Sequence, residues 1–242
     1  ALDAALGSAD DQVTPITYVN SSAALKAFCG RHGGIVCTSG NADRVIQWAL
    51  EQRPRFFFFP DQHLGANTAL KLGFKHEDML TWDEHHQPTA PSLRESRVYL
   101  WPGACNVHQR FRPDHVTSVR TRFPGIRVVA HPECRADVVA LADESGSTAR
   151  IIRLVEDSAP GSQWAVATES RMVYRLQREH PDHLIVPLAD VPPFCSTMSQ
   201  TTLANLTATL EALQNDELRN EVTVEPELAH WARVALERML AL

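Results

Sequence analysis

The chain lacks a long apolar run, a basic cluster and a secretory start, and each absence excludes a class of protein. No stretch of about 18 apolar residues occurs, so the sequence predicts no membrane-spanning helix. A formal net charge of −6 without a Lys/Arg cluster argues against a nucleic-acid partner. The opening residues ALDAALGSADDQ lack the basic start and apolar stretch of a secretory signal. We therefore expect a cytoplasmic protein.

The cysteines also lack the regular spacing of a disulfide framework. There are five of them in 242 residues, an odd number, and the chain is large enough to fold around its own apolar core. This usage favours a reducing compartment, with the thiols either buried or bound to a metal. The cysteines are Cys29, Cys37, Cys105, Cys134 and Cys195.

An internal repeat is the most informative feature that is present. The segment VVAHPECRADVVALAD aligns with ITYVNSSAALKAFCG, which places His131 on Tyr18 and Glu133 on Asn20. Further along, residues 146–152 correspond to residues 38–46, and each segment is a Ser/Thr-rich turn before a helix. A repeat of this length indicates a duplicated domain, with one site built between the copies.

Short apolar strands alternate with helices along the chain, which predicts an α/β fold. Repeated three-layer αβα domains with short parallel sheets fit this pattern, and their ligands bind at the carboxyl ends of the strands. The predicted divisions are 1–97, 98–190 and a closing segment, 191–242, that holds a cysteine loop and two helices. We expect the apolar face of the first closing helix to pack in a core; it comprises Leu203, Leu206, Leu210 and Leu213.

Residues 75–97 interrupt the alternation and are predicted to form a surface insertion. The segment contains His76, His85 and His86. A histidine pair can bind a metal, but in a polar loop it is more often solvated.

Two cysteines occupy similar positions after predicted strands. Cys105 follows a Trp-Pro-Gly-Ala turn, with His108 three residues on. Cys195 follows Pro-Pro-Phe, with Met198 three residues on. A single cysteine in such a loop is more often a small buried hydrophobe, whereas equivalent cysteines in successive domains favour convergence on a soft metal. A third equivalent cysteine, from a preceding copy of the domain, would fall before Ala1.

Nine segments together resemble the quinolinate synthase family, the iron–sulfur enzymes of NAD biosynthesis. They are YVNSSAALKA, VCTSGNA, FFPDQHLGANTA, WPGACNVH, HPEC, ADESGST, ATES, CSTM and RVALERML, and they follow the family's order over nearly the whole chain. The resemblance implies three similar α/β domains in a pseudo-threefold arrangement. Residues 1–97 would then be the second repeat and 98–190 the third. The first domain would be largely absent, and residues 191–242 would pack on it.

The resemblance also implies a cofactor, substrates and a partner. In that family each domain contributes one cysteine to a [4Fe-4S] cluster, so Cys105 and Cys195 would be ligands and the third cysteine would lie upstream of Ala1. The implied reaction condenses iminoaspartate with dihydroxyacetone phosphate to quinolinate, with one iron left open as a Lewis acid. L-aspartate oxidase, which makes iminoaspartate, is the expected loose partner. We interpret Cys29, Cys37 and Cys134 as packing residues.

The repeat and the resemblance together assign roles to polar side chains at the strand ends. Glu133 is the leading general base, and His131 orients a substrate carboxylate. Tyr18 is the candidate proton donor, and Asn20 holds a substrate oxygen. The remaining substrate-binding candidates are Ser39, His108, Ser147 and Thr148, of which Ser39 and Thr148 are predicted to open helices that can bind phosphate or carboxylate.

Structural explanations compete with these assignments. His131 and Glu133 suit a helix N-terminus without any ligand. Tyr18 could mark a strand edge, and Asn20, Ser39 and Thr148 could be ordinary helix caps. Residues Gly65–Asn67 could form a turn, and Glu169 could be a structural hydrogen-bond acceptor.

Two other functions also remain open. One is an inactive fragment that binds dicarboxylates or phosphates. The other is a mononuclear zinc hydrolase that uses Cys105 and His108.

Overall fold

Two groups of short strands form the framework of the protein. The structure is a computed structural model that describes residues 7–83 and 89–242. The strands are β1 (Val13–Tyr18), β2 (Ile35–Cys37), β3 (Arg55–Phe59), β4 (Met79–Thr81), β5 (Val98–Leu100), β6 (Arg127–Ala130), β7 (Glu144–Ser145), β8 (Gln163–Ala167) and β9 (Leu184–Pro187). They make two parallel sheets, in the orders β2-β1-β3-β5-β4 and β7-β6-β8-β9.

Helices follow most of the strands, as the predicted alternation requires. The α-helices are α1 (Ala9–Gln12), α2 (Ala23–Arg31), α3 (Ala42–Gln52), α4 (Gln62–Lys71), α5 (Ala90–Glu95), α6 (Pro113–Arg122), α7 (Ala136–Leu141), α8 (Thr148–Glu156), α9 (Ser170–Glu179), α10 (Leu203–Gln214) and α11 (Pro226–Leu240). Short 3-10 turns occur at His76–Asp78, His108–Arg110 and Met198–Gln200. Among the described residues, none of these helices has both the length and the apolar character needed to cross a bilayer.

Apolar side chains cover both faces of each sheet, so each unit has three layers. In β3, Phe56 and Phe58 pack with residues of α3 and α4. On the opposite face, Phe59 packs with Cys29 of α2 and Ala235 of α11. The second sheet follows the same plan, with α6 and α7 on one face and α8 and α9 on the other. Because successive strand residues point to opposite faces, an uninterrupted apolar strand requires this arrangement.

The order of the strands confirms the internal repeat. In the first sheet β1 lies between β2 and β3, and β5 lies beyond β3. In the second sheet β6 lies between β7 and β8, and β9 lies beyond β8. The corresponding strands are therefore β1 and β6, β2 and β7, β3 and β8, and β5 and β9. The remaining strand, β4, is an edge strand in the first sheet.

Two features of residues 75–100 differ from the sequence prediction. The division between residues 97 and 98 is wrong, because Val98 pairs with Phe56 and also with Met79. The segment 75–97 is more than a surface insertion, since β4 joins the sheet and Leu93 of α5 is 1% exposed. His76 lies on the surface, and His85 and His86 lie outside the described residues.

Residues 65–67 are part of helix α4 rather than a turn. A side chain at Gly65 would place its Cβ 2.8 Å from atoms of Phe58 and Leu100, so this helix approaches the sheet at a position that only glycine fits. Asn67 donates hydrogen bonds from Nδ2 to the carbonyl oxygens of Pro132 (2.8 Å) and Cys134 (2.7 Å). Helix α4 therefore connects the two units.

The closing helices behave differently from one another. Helix α11 packs on α2 and thus belongs to the first unit. Gly30 contacts the backbone of Trp231, and Arg238 Nη1 donates to the carbonyl oxygen of Gly34 at 2.7 Å. The prediction of core packing for α10 is wrong in this chain, because its four leucines are exposed. The most exposed of them, Leu203, is 80% exposed, so the apolar face of α10 is largely in contact with solvent.

Candidate active site at the strand ends

Residues from both units line a cavity of about 280 Å³ at the carboxyl ends of the strands. Tyr18 ends β1, and Asn20 lies two residues beyond it. Glu133 follows β6 in the second unit, and Cys105 follows β5 in the first. Asp61, Pro60, Gly103 and Ala104 complete the lining. The structure therefore brings together Tyr18, Asn20, Cys105 and Glu133, which come from three separate segments of the sequence.

Two stacked histidines flank the Glu133 carboxylate. The rings of His108 and His131 are 4.3 Å apart with an interplanar angle of 12°. The Oε2 atom of Glu133 lies 3.2 Å from Nδ1 of each ring, and all three side chains are largely buried. Such a group places a carboxylate beside two imidazoles, and side chains of these types can transfer protons.

The two histidines have opposite protonation preferences. Burial lowers the pKa of His131 well below 6.5, and the positive charge of His108 lowers it further. Nδ1 of His131 accepts a hydrogen bond from the backbone N–H of Glu133 at 3.3 Å, which agrees with a neutral ring. At His108, burial opposes the charge, but contacts with Cys105 and Glu133 outweigh it and raise the pKa to about 9. The stack therefore pairs a neutral imidazole with a charged one.

The surroundings of Cys105 stabilise the charged form of its thiol. Burial favours the neutral thiol, but hydrogen bonds from His108 and from the loop backbone lower the pKa of Cys105 below its usual value. Ligand atoms of Cys105, His108 and Glu133 all lie within 4.8 Å of one another. Because thiolate, imidazole and carboxylate are metal ligands, this group could hold a metal ion.

Tyr18 remains a phenol at neutral pH. Burial raises its pKa, the negative charge of Glu133 raises it further, and a hydrogen bond with Ser39 acts in the opposite direction. Tyr18 therefore keeps its O–H and can donate a hydrogen bond near Glu133, and Ser39 helps to define its surroundings.

A second cavity, of about 430 Å³, lies between the two units. Ser39 and Gly40 come from the first unit, and Ser147 comes from the second. Ser147 is the N-cap of α8 and accepts a hydrogen bond from the backbone N–H of Arg150. Thr148 is the first residue of that helix and is exposed, and the N-cap of α3 is Asn41 rather than Ser39. The predicted Ser/Thr turns thus meet across this cavity, although only Ser147 forms the cap itself.

Cys195 lies in a loop built like that of Cys105. Its backbone N–H donates to Glu169 Oε1 at 3.4 Å, and the N–H of Cys105 donates to Asp61 Oδ2 at 3.0 Å. A 3-10 turn begins three residues after each cysteine. The Cys105 loop also contacts the second unit, because His108 Nε2 lies 3.1 Å from Oγ1 of Thr168, the residue before Glu169.

The other three cysteines are fully buried, whereas Cys105 and Cys195 are partly exposed. Burial raises the pKa of the Cys29 thiol to about 12, and it also raises the pKa values of Cys37 and Cys134. Each of the three belongs to an apolar cluster. Their interpretation as packing residues is therefore confirmed.

Two acidic residues at this edge of the sheets receive no active role from the sequence pattern. Asp61 stands there only as part of the segment FFPDQHLGANTA, and the structural explanation of Glu169 as a hydrogen-bond acceptor is confirmed. Each is the N-cap of the helix that follows, α4 and α9 respectively. Each lies two residues beyond the end of a corresponding strand, and the repeat is the signal that could have revealed that equivalence.

The chain is similar to known proteins over almost its whole length. The family described as Quinolinate synthetase A protein matches residues 3–241. The chain is similar to the quinolinate synthase of Rhodopirellula baltica, with 49% identity over 96% of this chain and 60% of the relative. It is also similar to the quinolinate synthase of Listeria monocytogenes, with 45% identity over 96% of this chain and 64% of the relative. The quinolinate synthase of Herpetosiphon aurantiacus is 46% identical over 99% of this chain and 65% of the relative. The chain thus spans less than two thirds of these relatives, and it belongs to the Quinolinate synthetase A family.

Proposed function

We propose that this chain forms the larger part of a quinolinate synthase, which condenses iminoaspartate with dihydroxyacetone phosphate to quinolinate. The observation that carries the proposal is the shared cavity of Tyr18, Asn20, Cys105 and Glu133 in a member of this family. The reaction releases one phosphate and two waters, so it needs several proton transfers beside bound anions. A buried phenol, a carboxylate and two imidazoles supply groups for those transfers.

A [4Fe-4S] cluster fits the donors that the chain presents. Cys105 and Cys195 are the partly exposed cysteines, and they occupy corresponding loops. The lowered pKa of Cys105 makes the thiolate that a cluster requires easier to form. Two cysteines are fewer than the cluster needs, so we expect the third ligand from the part of the relatives that this chain does not match. When bound, a cluster with three protein ligands would supply a Lewis-acidic iron for substrate oxygen.

The side chains of the chain itself would position the substrates and move protons. Glu133 would remove substrate protons at its carboxylate oxygens, beside the charged ring of His108. The neutral ring of His131 would orient a substrate carboxylate through Nε2–H, since Nδ1 already accepts from the backbone. Tyr18 would donate a proton from its hydroxyl, and the Asn20 amide would hold a substrate oxygen.

Anionic groups of the substrates would bind near the second cavity. Ser39 and Ser147 provide hydroxyls at its edge, and Lys71 and Arg150 add positive charge to its lining. Thr148, exposed beside Ser147, is the weakest of these candidates. Helix N-termini favour negative charge, so α8 would strengthen the binding of phosphate or carboxylate.

The domain arrangement and the cellular setting are also part of the proposal. The first domain of a pseudo-threefold arrangement would cover the exposed leucines of α10, and the division between the two units would follow β5 rather than precede it. A cytoplasmic enzyme of this type would receive iminoaspartate from L-aspartate oxidase through a loose association.

The test combines this chain with the part of a relative that it does not match, followed by anaerobic incubation with iron and sulfide. We expect about four irons per complex and formation of quinolinate. The Cys105→Ser variant should lose both, whereas Cys29→Ala, which changes a buried packing residue, should keep both. Full iron binding by Cys105→Ser would contradict the ligand assignment. Ligand binding without turnover in the wild-type complex would favour an inactive fragment.

A mononuclear zinc hydrolase is the second candidate function, because Cys105, His108 and Glu133 could together hold one ion. Elemental analysis distinguishes the two possibilities. One zinc per chain without sulfide would favour the hydrolase, and iron with equal sulfide would favour the synthase.

A further inference from the structure

We propose that Asp61 and Glu169 are positioning residues that hold the two cysteine loops with their thiols directed to a common site. The functional meaning of this inference rests on the proposed cluster. The structural part concerns only residues of this chain. Each acidic residue lies two positions beyond a corresponding strand, β3 for Asp61 and β8 for Glu169. Each contacts the cysteine loop of its own unit.

Asp61 divides its two carboxylate oxygens between a helix and a loop. Oδ1 accepts from the backbone N–H of Leu64 at 2.7 Å, which caps α4. Oδ2 accepts from the backbone N–H of Cys105 at 3.0 Å. The residue is 4% exposed, so water does not compete effectively for these bonds.

Glu169 makes the equivalent contacts in the second unit. Oε2 accepts from the backbone N–H groups of Arg171 (2.9 Å) and Met172 (3.4 Å), which caps α9. Oε1 accepts from the N–H of Cys195 at 3.4 Å. Glu169 has a longer side chain than Asp61, and its contact with the cysteine N–H is longer by a few tenths of an ångström. The two units thus reach the same arrangement with different residues.

A helix cap alone does not require a carboxylate that also accepts from a neighbouring loop. Ser22 caps α2 and Thr202 caps α10, each through one hydroxyl oxygen. Glu225 caps α11 with both carboxylate oxygens on that helix's own N–H groups. At Asp61 and Glu169, in contrast, one oxygen serves the cap and the other serves a cysteine. A carboxylate accepts at both oxygens, so it can hold both groups at once.

The tether fixes the backbone on each side of the thiol. The carbonyl oxygen of Cys105 accepts from the N–H of Gln109 at 3.1 Å, and that of Cys195 accepts from Ser199 at 3.0 Å. With N–H and C=O both held, each cysteine keeps only the rotation of its side chain. A site whose ligands come from separate loops needs this preorganisation.

The decisive variants are Asp61→Ser and Glu169→Ser. Serine keeps an oxygen for the helix cap but has no second acceptor for the cysteine N–H. Amide hydrogen exchange on the metal-free chain should become at least about tenfold faster at Cys105 in Asp61→Ser and at Cys195 in Glu169→Ser. Each variant should leave the other loop unchanged. The control is Ser22→Ala, which removes a cap remote from both loops and should not alter exchange at either cysteine.

Iron binding by the combined complex provides the functional readout. Both serine variants should retain less iron than wild type, with a faster loss of the cluster's visible absorbance in air. Unchanged exchange at the cysteine amides would overturn the inference. Faster exchange with undiminished iron retention would overturn it too, because the tether would then have no positioning role. If the wild-type complex binds no iron, the proposed function fails, and the exchange result alone decides whether the carboxylates hold the loops.

Discussion

The group formed by His108, His131 and Glu133 shows how burial and proximity can give similar side chains different properties. Both imidazoles lie equally close to Glu133, yet only His108 also contacts the Cys105 thiol. Charge therefore accumulates on His108, and His131 remains neutral because a second buried positive charge beside the first is unfavourable. The pair thus offers one cationic ring and one neutral hydrogen-bond donor to an anionic substrate.

The depressed pKa of His131 predicts a pH dependence of stability. Below about pH 6.5 the unfolded chain binds a proton at this residue and the folded chain does not. The contribution of His131 is therefore fully present above pH 6.5 and is lost as the pH falls, by up to about 1.4 kcal/mol per pH unit. Asp61 acts in the opposite direction, because burial raises its pKa from the usual 3.8 to about 6 in the folded chain.

His108 also contributes, because its raised pKa of about 9 gives stability that is lost as the pH rises above 6.5. Since these dependences overlap, the informative quantity is the difference between wild type and His131→Gln. Urea unfolding between pH 5 and 8 should show that this difference shrinks as the pH falls. His76→Gln changes an exposed histidine and should follow wild type at every pH. A difference that stays constant with pH would show that His131 titrates normally in the folded protein.

Among the secondary-structure elements, helix α4 marks the limit of what can be predicted from sequence. The apolar strands and amphipathic helices such as α3 and α8 are evident, because their periodicity reports their own buried faces. Gly65 and Asn67 weaken the helical pattern of α4, and their roles depend on Phe58 in the sheet and on backbone in the other unit. Local sequence does not encode such distant contacts, and the role of the Asp61 carboxylate is hidden for the same reason.

The same limit applies to α10 and α11. Both have apolar faces, but periodicity does not identify the surface that covers them. Helix α11 packs on α2, whereas the leucines of α10 stay exposed. The strand-end residues are easier to predict, because parallel strands gather their carboxyl ends at one edge of a sheet.

The close contact between α2 and α11 predicts the effect of a single methyl group. The Cβ of an alanine at position 30 would lie 2.0 Å from the carbonyl oxygen of Trp231, which is backbone and cannot rotate away. We expect Gly30→Ala to lower the free energy of unfolding by about 1–3 kcal/mol, despite the better helix propensity of alanine.

Urea denaturation measures this cost, and limited proteolysis should show earlier cleavage near α11. Arg31→Ala removes the exposed ion pair with Glu227 across the same two helices and should cost less than about 1 kcal/mol. Equal stability of Gly30→Ala and wild type would mean that the two helices pack less tightly than this contact requires.

The described residues form two units with the same strand order apart from the edge strand β4, and each unit contributes the same set of parts. A strand end provides polar side chains, an acidic N-cap holds a loop, and the loop presents a cysteine. The contacts of Asn67 with the second unit and of His108 with Thr168 connect the units at this edge. Duplication of one modest fold therefore explains why two distant cysteines occupy corresponding loops.

Thiol cross-linking of the metal-free chain tests directly whether Cys105 and Cys195 lie at one site, as the proposed cluster requires. Dibromobimane bridges two neighbouring thiols and fluoresces once both ends have reacted. Cys29, Cys37 and Cys134 are buried, so the reagent should reach only Cys105 and Cys195 in the folded chain. We predict one fluorescent bridge per chain, which joins the peptides that contain Cys105 and Cys195. Cys105→Ser and Cys195→Ser should abolish it, and Cys29→Ala should not. Rapid separate labelling of both cysteines without a bridge would contradict a shared site.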